Sequence, residues 1–147
     1  GSMWLVPAEL HEPVEQQAVR TILHEEMHGH SSLRPFAYQG AGKVLEEALV
    51  ELHARELTER MLELPAGSMG GSYQAYIDDV REAARGAFPD LSPTELDDRI
   101  RRAGRRAWRE EIRSREEYVT RMVDGLEPSD AERPALTGAI RSLRPRH

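Results

Sequence analysis

Residues 14–28 and 43–64 run without a glycine or a proline, and Gly29 and Pro65 close them. The first run follows Pro13, a residue suited to the opening turn of a helix, and both are long enough to be read as helices. Between them "SSLRPFAYQGAG", residues 31–42, holds one proline and two glycines and reads as a loop. "PAGSMGGS" after the second run reads as a flexible connector, with "GSMGG" either a mobile lid or a plain link, and a third helix is predicted from about Ser72 to Gly86. In "PDLSPTELDD" Ser92 stands as an N-cap, Pro93 at the first helical position and Glu95 two residues later. That pattern predicts a long helix reaching to about Val123. A short helix is expected after Ser129, interrupted at Pro134, and only "MWLV", residues 3–6, has strand composition. The expectation is a mainly α fold in one compact domain spanning 1–147, with at most a short N-terminal strand.

Composition narrows the function. The 39% hydrophobic residues can build a core, while 31% charged residues imply helices with broad solvated faces. The absence of cysteine excludes disulfides, thiolate metal sites and cysteine nucleophiles, so any metal here is held by His, Asp or Glu. A net charge of -6 argues against nucleic acid as a partner, "RIRRAGRRAWREE" at 99–111 being a local exception. No stretch has the length of a membrane span and no export signal is visible, which points to the cytoplasm. Gly1 and Ser2 read as a cloning scar, leaving Met3 as the natural start or the chain as part of a larger protein.

"TILHEEMHGH", residues 21–30, carries the chemistry. Helix positions four apart stand one turn above each other, so His24 and His28 project from one face and can grip one tetrahedral zinc ion. Glu25, beside the first histidine, reaches the metal's water rather than the metal and can take its proton. The alternative is a solvated His/Glu helix face. Two histidines leave a catalytic zinc one protein ligand short. The metzincin spacing fails, because Ser31 and Arg34 stand where its glycine and third histidine belong. His30 follows Gly29 and reads as a capping or solvent-facing residue.

The next helix offers Glu46, Glu47 and Glu51 in "VLEEALVEL". At about 100° per residue, Val50, Ala54, Leu57 and Met61 flank Glu47 on one side, and Val44 and Leu62 on the other. Glu47 and Glu51 therefore stand in an apolar stripe, where a carboxylate costs several kcal/mol unless a cation or donor meets it. A zinc ion with its histidine is one such partner, and an arginine in a helical bundle is another. Glu46 is expected to matter little for the metal.

HEEMH followed by "EEALVE" resembles the thermolysin-type gluzincins, whose pattern is H-E-x-x-H, a spacer of about twenty residues, then N-E-x-x-S-D. The resemblance covers residues 21–54 and implies a zincin-like packing of the two helices. It implies His24, His28 and Glu47 as zinc ligands, Glu25 as the base and Glu51 as the acid that orients His24. It also implies Tyr38, nine positions before Glu47, as the donor to the oxyanion. Glu46 replaces the family's Asn and Glu51 its Asp. No β-rich region precedes the active helix, so pairing with substrate falls to "MWLV" or to a partner chain. The second oxyanion histidine has no match: His53 lies well away from Glu47 and His147 is terminal. Small metallopeptidases of the ImmA/IrrE type are similar in size, but show Glu-Ala-Asn where this chain has Glu47-Ala48-Leu49.

Trp108, Tyr118, Ile112, Val119 and Met122 share an apolar helix side and are expected in the core. The arginines around them pair at i, i+4, or one of them reaches the site. The reading is a minimal zinc metallopeptidase that cleaves a peptide or protein substrate. The alternatives are an inactive zinc-stabilised helical binding module and a metal-free helical interaction protein.

Overall fold

A computed structural model describes residues 13–30, 33–71 and 73–146, apart from the side chains of Pro13 and His30. Among these are six α-helices: α1 Pro13–His30, α2 Ala41–Met61, α3 Gln74–Arg85, α4 Pro93–Ala107, α5 Arg115–Leu126 and α6 Arg133–Arg141, with a 3-10 turn at Pro35–Ala37. The mainly helical reading holds. The described residues contain no strand, only an isolated parallel bridge between Leu33 and Ile112. "MWLV" lies outside them. No described helix is long and apolar enough to cross a membrane.

α2 is the hub, packed by α1, α3, α4 and α5. Its apolar residues occupy every rotational position, and from Ala41 to Arg55 each residue except Lys43 is buried. Around its own Leu45 and Leu49 the core gathers Ile77, Leu96, Ile100, Ile112, Met122, Leu126 and Ile140, all at most 1% exposed. At about 1.5–3 kcal/mol for each large apolar side chain, these positions carry most of the driving force. α1 differs. Among its described side chains Arg20 and His24 are the buried ones and no apolar side chain joins the core, while Val14 and Ile22 face outward.

The capping box at Ser92 and Glu95 is present, with both reciprocal hydrogen bonds made. The predicted continuous helix to Val123 is instead two, α4 and α5. The break satisfies backbone groups that an uninterrupted helix would have paired internally: Arg121 donates to the carbonyls of Ala107, Glu110 and Glu111, and the Ser114 hydroxyl accepts from Glu117 N as a new N-cap. Ile112 in the break accepts from Arg34 N at 2.8 Å, fastening the α1–α2 loop. α4 and α5 then pack so closely that a Cβ on Gly125 would lie 2.9 Å from Ala103 Cα. Pro134 does not interrupt α6 but sits in its first turn, where its missing N–H costs nothing.

His53, on the side of α2 away from Glu47, lies 5.2 Å from the Trp108 ring. It is 7% exposed, and its Nε2 has no hydrogen-bond partner among the described residues. Burial, then the cations of Arg105 and Arg101, push its pKa down to about 4. A histidine that resists protonation only when folded costs nothing above its ordinary pKa of 6.5, and stability then drains away as pH falls from there, the loss being complete by about 4. In chelator, the unsubstituted protein should therefore lose about 1–2 kcal/mol more than His53→Leu between pH 7 and pH 5. Urea unfolding at the two pH values checks this, and equal losses would contradict it.

Candidate metal centre

α1 and α2 cross where their histidines and glutamates meet. His24 Nε2 lies 3.4 Å from Glu47 Oε2, and His28 Nε2 lies 2.9 Å from Glu47 Oε1. The two Nε2 atoms are 3.1 Å apart. His24, His28 and Glu47 thus form a group that could hold a metal ion, with one ligand atom of each within 4.8 Å of the others.

The outward faces of the imidazoles decide what points inward. His24 Nδ1 is 2.9 Å from Glu51 Oε1, and His28 Nδ1 is 3.2 Å from Glu46 Oε2. An ionised carboxylate only accepts, so each Nδ1 carries the hydrogen and each Nε2 turns a lone pair towards Glu47. Two lone pairs and a carboxylate aimed at one point repel unless a cation, proton or metal, lies among them. Without a metal the proton does so. The hydrogen bonds that His28 donates to Glu46 and then Glu47, against burial, push its pKa up to about 10. Burial works against a raised His24 pKa too, but Glu47 and Glu51 prevail. For Glu47 burial favours the neutral acid, yet His24, His28 and Tyr38 hold it well below the usual carboxylate range. The donor set, nitrogen, nitrogen and oxygen with both distal nitrogens anchored, fits a divalent ion.

Each outer carboxylate is itself fixed. Glu51, fully buried, accepts from Arg20 at 2.9 Å and from Arg55 Nε at 2.7 Å. Glu46 accepts at 2.8 Å from the hydroxyl of Tyr118, which accepts at 2.9 Å from Trp108 Nε1. Sequence reasoning missed this second support. Counting one apolar stripe leaves Glu46 aside, but a hub helix has no solvated side, and Glu46 is 2% exposed. The signal was present in Val44, Leu45, Ala48, Leu49, Val50 and Leu52, which together leave no polar face. Tyr118, expected as core, is both core and hydrogen-bond donor.

Tyr38 donates to Glu47 Oε1 at 2.7 Å and remains 38% exposed. Burial, then Glu47, raises its pKa. The turn that carries it rests on Gly42, where a Cβ would lie 1.8 Å from the Ala37 carbonyl oxygen. Phe36, on the same turn, is 77% exposed. Glu25 is exposed and lines a small polar pocket with Arg20, Thr21, His24 and Tyr73. The "GSMGG" loop is tied down, with Glu59 accepting from Gly67 N and Met69 N. The His30 side chain lies outside the described residues.

Comparison with protein-family models, curated proteins and solved structures finds no match.

Glu47→Ala is expected to weaken metal binding at least a hundredfold, and Glu46→Ala and Glu51→Ala by about ten- to a hundredfold each, because they release the imidazoles rather than remove a ligand. Competition titration against a chromophoric chelator measures this. Unchanged affinity in Glu46→Ala would mean that His28 needs no support from that carboxylate.

Proposed function

We propose that this chain is a zinc-dependent hydrolase that cleaves peptide bonds, a minimal domain of gluzincin-like design. The observation that carries the reading is the convergence of two Nε2 atoms on a buried carboxylate, with each Nδ1 within hydrogen-bond distance of a further buried glutamate. His24, His28 and Glu47 would hold the zinc ion, which when bound would supply Lewis-acid activation of water and of a substrate carbonyl.

The chain's own residues divide the remaining work. Glu25 stands next to His24 and is exposed, so it can accept a proton from the attacking water and pass it to the leaving amine. Tyr38 has its hydroxyl on Glu47 and its ring partly exposed, so the phenol can turn its hydrogen bond to a carbonyl oxygen that is gaining charge. Glu51 and Glu46 keep the imidazoles from turning. The substrate is a peptide or protein.

One observation favours a second reading, an inactive module in which the metal clamps α1 to α2. α1 contributes no apolar side chain to the core, so a metal crossing the α1–α2 seam has structural work to do. Glu25→Gln separates the two readings. In a hydrolase it should leave zinc content unchanged and lower turnover of a fluorogenic peptide library by about a hundred- to ten-thousandfold. Tyr38→Phe should lower kcat by roughly ten- to a thousandfold with KM little changed. Zinc-loaded protein that turns over nothing in the library would favour the clamp.

A further inference from the structure

Tyr73 is the residue before α3, and its backbone has φ 66 and ψ 6, the left-handed region that a bulky side chain rarely occupies. The strained backbone brings the phenol ring flat against the imidazole of His24, with centroids 4.5 Å apart and planes inclined by 17°. The ring is not there for burial, since Tyr73 stays 37% exposed.

The segment carrying it is tied to the same histidine by a second route. Arg55 gives its Nε to Glu51 at 2.7 Å, and Glu51 holds His24 Nδ1. The other end of that guanidinium donates to Gln74 Oε1 at 2.7 Å and to the Gly71 carbonyl at 3.5 Å, on either side of Tyr73. The contacts close a ring: His24, Glu51, Arg55, Gln74, the adjoining Tyr73, and His24 again. His24 is gripped at its edge by a carboxylate and across its face by a phenol, and one arginine couples the two.

We infer that Tyr73 is a positioning residue of the metal centre, holding the His24 imidazole at the angle that aims Nε2 at the ion. The inference rests on the metal reading above. Because the aromatic ring is what His24 meets, Tyr73→Phe should bind metal within about threefold of the unsubstituted protein. Tyr73→Gly and Tyr73→Asn both accept the left-handed backbone but lack the ring. They should keep or raise the melting temperature measured in excess chelator, yet bind Zn2+ and Co2+ about ten- to a hundredfold more weakly, with an altered visible spectrum of the Co2+ form.

The experiment titrates Co2+ and Zn2+ into the full chain and its three variants. Affinities and Co2+ spectra of Tyr73→Gly and Tyr73→Asn that match the unsubstituted protein would overturn the inference, as would an equal loss in Tyr73→Phe. No uptake of either ion by the unsubstituted protein would instead overturn the metal reading, and this inference with it.

Discussion

Glu51 has no solvent contact, and a carboxylate so placed costs several kcal/mol unless donors surround it. Here three side chains do: Arg20 and His24 from α1 and Arg55 from its own helix. Removing any one leaves a buried charge under-satisfied, so the cost of breaking this cluster exceeds the net gain from forming one hydrogen bond, about 1 kcal/mol. Through Arg20 the cluster sets where α1 lies on α2, and through Arg55 where Gly71 and Gln74, the first residue of α3, are held. The spacing between the two histidines and Glu47 follows from both.

That dependence explains the uneven stability expected across the molecule. α2 to α6 share a continuous apolar core, whereas α1 is held by Arg20, His24 and His28 with half-buried Leu23 and Met27 beside them. Polar seams of this kind are specific in register but weak in free energy. A metal ion held by His24, His28 and Glu47 would strengthen this seam, and its binding would then be coupled to the seating of α1.

The helices were legible because glycine and proline punctuate them, and the capping box at Ser92 was legible because its partners are three residues apart. The Glu47 and Glu51 positions could be read from a wheel, as their neighbours in the stripe are apolar. Three features were not readable in this way. The end of α4 depends on Arg121, a residue of the next helix that satisfies its carbonyls, and nothing within α4 announces it. Glu46 looks solvated on a wheel that assumes one buried face, an assumption that fails for a helix packed on all sides. Tyr73 follows a glycine-rich connector, and its stacking on His24 arises only once Arg55 has fixed the chain on both sides.

The choice of glutamate at position 46 also has a chemical reason in the structure. An amide there could offer either its oxygen or its nitrogen to His28, and the imidazole could then turn a donor or a lone pair towards Glu47. A carboxylate only accepts, and the Tyr118 hydroxyl that meets Glu46, itself accepting from Trp108, is oriented to donate. The direction of donation thus runs one way from Trp108 through Tyr118 to Glu46, and from His28 Nδ1 to the same carboxylate. Nε2 of the neutral ring is left without its hydrogen, and the hydrogen bonds to Glu46 and Glu47 that raise the His28 pKa favour a second proton there. A proton on His28 Nε2 can be shared with His24 Nε2, 3.1 Å away, or with Glu47, whereas a metal ion could meet one ligand atom of all three residues at once, since those atoms lie within 4.8 Å of one another.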